Sequence, residues 1–145
     1  MGLEQVRLLE FPKISDPRGS LSFVEGERHL PFAIKRVFYL YGIAPGQSRG
    51  GHAHKWHDEV IIPLAGSFDI ILDDGFAKQP HHLDQPHVGL FLPRLVWQDL
   101  VNFSPGAVCL VLASDVYSEA DYYRRYPEFL AAVRGSGSKL PTNQR

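Results

Sequence analysis

Gly51-His52-Ala53-His54 is the segment whose residue types and spacing point most directly to chemistry. Side chains alternate along an extended strand, so His52 and His54 face one side with their Cα atoms ~6.6 Å apart. Two imidazoles at that separation can both approach one small ligand or one metal ion. An imidazole also takes and returns a proton around neutral pH, because its ordinary pKa lies near ~6.5. Glu59, after four intervening residues, adds a carboxylate to the same region. Taken alone, the pair fits two exposed histidines on a strand edge equally well, since a short motif is weak. Elsewhere the chemistry is sparser. Cys109 sits in the apolar run Ala107-Val108-Cys109-Leu110-Val111-Leu112, the setting of a buried inert thiol. His81, His82 and His87 lie among Pro, Asp and Gln and read as a solvated loop.

The elements that must position the histidine pair are short. Apolar segments of strand length recur at 21–25, 34–41, 59–63, 67–72, 88–92, 98–103 and 107–113. Asp16-Pro17-Arg18-Gly19 and Asp73-Asp74-Gly75 are turn sequences, and Leu64-Ala65-Gly66-Ser67 and Ser104-Pro105-Gly106 read as hairpin connections. Strands at this spacing without intervening helices predict an all-β sandwich or barrel. One helix is expected near the end, with Ser118 as its cap and Tyr122, Tyr126, Phe129 and Val133 at helical spacing. Pro127 inside that pattern requires a kink or a later start.

The bulk numbers narrow the function classes. The chain has 145 residues, enough for one domain with a real core, here expected over 1–134 with a disordered polar tail over 135–145. A formal net charge of −1 leaves no basic surplus for a phosphate backbone, so nucleic acid is not an expected partner. No apolar stretch approaches the ~20 residues of a membrane span, and the start lacks the pattern of a signal peptide. With a lone cysteine, the cytoplasm is the expected compartment.

The spacing around the histidines resembles the cupin superfamily. His52, His54, Glu59 and Gly66 match its first motif, and Gly89, Pro93 and Asn102 match its second. The likeness implies a small jelly-roll barrel, in agreement with the strand pattern. The second motif's histidine position holds Gln98. A neutral amide oxygen is a weak ligand beside imidazole, so that change costs metal affinity. Two readings remain: a two-histidine, one-carboxylate metal site of His52, His54 and Glu59, or a metal-free pair for acid/base work.

Longer strings are more specific. Asp16-x-Arg18-Gly19-x-Leu21, Pro31-Phe32-Ala33-Ile34-Lys35-Arg36-Val37, Arg49-Gly50-Gly51-His52-Ala53-His54-Lys55, Val96-Trp97 and Val111-Leu112-Ala113-Ser114-Asp115 with Tyr117 and Asp121-Tyr122 resemble the nucleotide-sugar 3,4-ketoisomerases, the WxcM-like cupins. The resemblance runs from about residue 11 to 129. It implies conversion of a dTDP-4-keto-6-deoxyhexose to its 3-keto isomer for deoxyamino-sugar synthesis, no metal or organic cofactor, and a homodimer that exchanges strands. Gln98 stands where the family often has a basic residue, and Phe38 where it often has tyrosine. Within this reading His52 is the expected base, His54 orients the sugar or handles the oxygen proton, and Tyr39 hydrogen-bonds the enediolate. Arg18, Arg36 and Arg49 are candidates for the pyrophosphate, since guanidinium pairs with phosphate bidentately. Trp97 and Gln98 are expected at the sugar pocket. A metal-dependent cupin and a non-catalytic nucleotide-sugar-binding cupin are the rival readings, with a 3,5-epimerase ranked lower.

Overall fold

The computed structural model describes residues 2–135. Two five-stranded antiparallel sheets face each other. The first runs β1 (Arg7–Glu10), β9 (Val88–Leu92), β6 (Glu59–Ala65), β11 (Val108–Ala113), β4 (Arg36–Leu40). The second runs β12 (Tyr122–Tyr123), β5 (Arg49–His54), β10 (Trp97–Val101), β7 (Phe68–Asp73), β8 (Lys78–Leu83). A separate exposed hairpin pairs β2 (Lys13–Asp16) with β3 (Gly19–Ser22). One helix, α1 (Tyr126–Gly135), closes the described chain. The expected all-β jelly-roll barrel with a short C-terminal helix is observed, as two facing sheets and α1. Among the described residues, no helix is long and apolar enough to cross a membrane.

The core lies between the sheets, where Ile61, Phe68, Ile70, Leu72, Leu90, Leu92, Leu100 and Val111 meet. β6 is buried at five consecutive positions because both of its faces are covered. Ile61 points to the inter-sheet core, while Val60 and Ile62 pack outward against Phe11, Leu30, Phe91 and Leu112. A third cluster joins Ala53 and Trp97 of the second sheet to Phe129 of α1. That cluster matters to function because it fixes the outer side of the histidine strand.

Several expectations shift. The strand expected over 21–25 is β3, ending at Ser22, and the polar-edged β1 and β2 carry too little apolar alternation to be read from sequence. His81 and His82 lie on an edge strand, β8, and not in a loop. Pro80 is tolerated there because an edge strand has a free side. His82 Nδ1 lies 2.6 Å from Asp69 Oδ1, and His81 Nε2 lies 2.7 Å from Gln79 Oε1. The helix begins late, at Tyr126, with Pro127 in its first turn where a missing N–H costs nothing. Ser118 makes no side-chain cap; it precedes a 3-10 turn over Glu119–Asp121. Tertiary bonds override the helical pattern there, because the Lys55 N–H donates to the Asp121 carbonyl at 2.7 Å and β12 pairs with β5. The expected tail beyond Gly135 lies outside the described residues.

Candidate active site

β5 places the histidines. It is flanked by β10, where Gln98 pairs with His52, and by β12, where Tyr122 pairs with His54. Directly paired residues share a face, so His52, His54, Gln98 and Tyr122 point into the barrel. Ala53, Trp97 and Tyr123 point the other way, under α1. Gly50 and Gly51 both hold positive φ, at 90° and 72°. A Cβ on Gly50 would stand 2.9 Å from the Gln98 carbonyl oxygen. The glycine pair therefore permits the bulge at Gln98/Asp99, and the bulge aims the following histidine inward.

The two histidines share a face but differ in depth. His52 is half-buried, with its ring 4.8 Å from His54 and 5.0 Å from Tyr122. Burial pushes its pKa down to about 4, helped by the neighbouring His54 and Arg124. It is neutral at physiological pH, the state a general base requires.

His54 is only 3% exposed. Its ring stacks on His57 with centroids 3.7 Å apart. Nε2 of His54 and Nε2 of His57 lie 3.1 Å and 2.9 Å from the same atom, Glu59 Oε2. On the opposite side, Nδ1 of His54 is 3.2 Å from Asp121 Oδ2, and Nδ1 of His57 contacts that same oxygen. The Gln98 amide donates to Glu59 Oε1 at 3.1 Å, and the Trp56 N–H donates to Asp121 Oδ1 at 2.7 Å. Burial alone would raise the Glu59 carboxyl, but the adjacent His54 and His57 imidazoles outweigh it and hold it well below the usual range. Both nitrogens of His54 thus face carboxylates. The ring expected to orient the sugar or handle its oxygen proton is held between two carboxylates of its own chain.

The mouth of the site is aromatic and cationic. Tyr122 neighbours Tyr117, with ring centroids 5.8 Å apart. Arg36 lies 5.7 Å over the Tyr117 ring and 4.9 Å over that of Phe38. Nε and one terminal nitrogen of Arg36 are buried without a hydrogen-bond partner. Arg124 sits 4.0 Å over Tyr122 and pairs with Glu119 at 2.6 Å, and the Tyr117 hydroxyl donates to Glu119 at 2.6 Å. These contacts with Arg124 and Tyr117 bring the Glu119 carboxyl down to about 2.

Other expected site residues lie elsewhere. On β4, Arg36, Phe38 and Leu40 point inward, so Tyr39 points out, 59% exposed against Tyr41. Within this chain Tyr39 does not face the histidines. Trp97 packs on Phe129 and Tyr126 on the outer face of β10, opposite to Gln98. Arg18 stands at the tip of the β2–β3 hairpin and pairs with its own turn's Asp16 at 2.6 Å. Arg49 is exposed at the start of β5. For the rival metal reading of His52, His54 and Glu59, the structure gathers a different third residue. His54 and Glu59 converge with His57, and the three offer donor atoms within 4.8 Å of one another. His57 and Asp121 were missed because a loop residue and a residue on a short turn leave no periodic signal. The one trace was Asp121 within the quoted strings.

A family model described as FdtA: WxcM-like, C-terminal matches residues 4–134. The chain is 45% identical over 123 residues to the TDP-4-oxo-6-deoxy-alpha-D-glucose-3,4-oxoisomerase of Aneurinibacillus thermoaerophilus, covering 85% of this chain and 88% of that one. QdtA, a sugar 3,4-ketoisomerase from Thermoanaerobacterium thermosaccharolyticum solved in complex with TDP, matches with a TM-score of 0.90 and 38% identity, over 92% of this chain and 98% of that one. WlaRB, the TDP-quinovose 3,4-ketoisomerase of Campylobacter jejuni, matches with a TM-score of 0.84 and 44% identity, over 88% and 98%. Sequence strings, barrel and matched length agree, and the chain belongs to the WxcM-like FdtA family.

Proposed function

We propose that this protein is a sugar-nucleotide 3,4-ketoisomerase that turns a TDP-4-keto-6-deoxyhexose into its 3-keto isomer, with His52 as the base. One observation carries the residue assignment. His52 presents a neutral, half-buried imidazole on the inner face, against a wall of groups already committed to one another. The neutral ring takes the C3 proton, leaving an enediolate whose C4 oxygen takes a proton from water to give an enediol. The imidazolium then returns a proton to C4 as the C3 hydroxyl gives up its own to water, and the carbonyl stands at C3. Arg36, with two unpartnered buried nitrogens, is suited to an anionic oxygen of the enediolate or the pyrophosphate. It takes the place expected for Tyr39. No step of this scheme calls on a cofactor.

Incubation with TDP-4-keto-6-deoxyglucose in deuterated buffer, followed by NMR, tests the reading. The expected outcome is a 3-keto product with solvent deuterium on the sugar ring. Binding without exchange would mark a non-catalytic nucleotide-sugar module instead.

The same reading includes residues 1–134 as one catalytic unit, action in the cytoplasm, and a homodimer formed through the N-terminal strands. Large apolar side chains at Leu8, Ile14, Leu21, Val37 and Tyr39 are exposed along β1 to β4, which supports an interface there. Light scattering is expected to give twice the chain mass, and a monomeric mass at micromolar concentration would overturn the dimer.

A further inference from the structure

Behind His52 lies a set of buried groups that the isomerisation does not use. We propose that Nε2 of His54, Nε2 of His57 and Oε2 of Glu59 form a binding site for one divalent first-row transition-metal ion. Asp121 serves as the outer carboxylate that orients both imidazoles. This proposal is independent of the ketoisomerase reading and differs from the cupin pattern, because His52 takes no part.

Four features point the same way. Donor atoms from the three residues lie within 4.8 Å of one another, and both Nε2 atoms approach Glu59 Oε2 at 3.1 Å and 2.9 Å. Ligands at ~2.0–2.2 Å from a tetrahedral ion stand roughly 3.3 Å apart, so two of the three edges are already at ligand spacing. Second, a metal-bound histidine characteristically gives its other ring N–H to a carboxylate. Here one oxygen of Asp121 lies beside the Nδ1 of both rings, 3.2 Å from that of His54, and the Trp56 N–H fixes its other oxygen. Third, both ring nitrogens of His54, Nδ1 of His57 and Oδ2 of Asp121 are buried at ion-pair distance yet lack hydrogen-bond geometry. Of these, Nε2 of His54 faces the centre of the cluster, and an ion there satisfies it without demanding an N–H direction. Fourth, two carboxylates, each at most 2% exposed, bring two negative charges out of water. One divalent ion supplies both opposite charges.

Two imidazoles and a carboxylate suit zinc and its neighbours in the first transition row. Gln98 is not a ligand in this arrangement; it anchors the free oxygen of Glu59. The ion would join the end of β5, the following loop and the start of β6, and through Asp121 the turn before β12. Since His52 packs 4.8 Å from His54, the site forms the floor of the proposed proton-transfer pocket.

The full chain, without a histidine tag and stripped by chelator, is titrated with Zn²⁺ and separately with Co²⁺. One equivalent per chain is expected, with a melting temperature that rises with metal concentration and with visible Co²⁺ bands that saturate at that equivalent. His57→Gln and Glu59→Gln each abolish the equivalent. His52→Asn keeps it, and so does the double change His81→Asn with His82→Asn on exposed β8. If the first two variants fail to fold by circular dichroism, the Co²⁺ spectrum of the unaltered protein decides. Three results overturn the proposal: no saturable equivalent, an equivalent that survives His57→Gln in folded protein, or one lost with the β8 pair. The first would mean that protons alone hold the cluster. Metal content and melting read the site whether or not the chain isomerises a sugar.

Discussion

His52→Asn is expected to lower turnover between about 10²- and 10⁴-fold, the range supplied by a positioned general base, while TDP binding stays within a few-fold of the original. Asparagine fills nearly the same space and keeps a polar edge, but its amide cannot accept a proton from carbon. The effect should therefore fall on kcat and on deuterium entry at C3, and much less on KM. What makes the expectation specific is the environment of the ring. Burial and the adjacent His54 hold the His52 pKa at about 4, so the base form is fully present at neutral pH. His54 occupies the same face but has both nitrogens turned to carboxylates. Deuterium exchange at C3 that continues at the original rate in the Asn variant would remove His52 from the mechanism, whatever its effect on product formation.

Asp121→Ala is expected to destabilise the folded chain by about 3–5 kcal/mol, as when one partner of a buried charged network is deleted. The carboxylate is 1% exposed, accepts the Trp56 N–H, and faces the Nδ1 atoms of two imidazoles. Its loss leaves those groups without acceptors and leaves Glu59 alone among them. For a chain of this length the melting temperature should fall on the order of 10 °C or more. Thermal unfolding followed by circular dichroism measures it, and a variant that melts within about 2 °C of the original would show that Asp121 is not integral to the network. Because Asp121 also holds the segment carrying Tyr122 against β5, the variant's ring contacts with His52 should loosen together with its stability.

The outcome at each residue shows what kind of information a sequence holds. Segments such as 59–63 and 88–92 were legible as strands because burial on both faces demands a near-continuous apolar run. β1 and β8 were not, because an edge strand with one solvated side tolerates Arg, Glu, Pro and His. The late start of α1 was readable from Pro127, whereas the 3-10 turn before it depends on bonds to β5.

For the site, strand alternation by itself put His52 and His54 on one face, and the quoted strings led to the family. Alternation states which residues share a face; it does not state which face is enclosed, or how deep each residue lies. Only the packed sheets turned Arg36 inward and Tyr39 outward, and only α1 on the outer face of β10 claimed Trp97 for the core. The loop that brings Trp56 to Asp121, 65 residues away in the chain, also delivers His57 to that same carboxylate. Such a meeting is set by chain closure and long-range packing, and no local pattern of residues encodes it. His52 as a chemical candidate was therefore written in the sequence. Its neutral state, its supporting cluster and its neighbours at the mouth were decided by the tertiary structure.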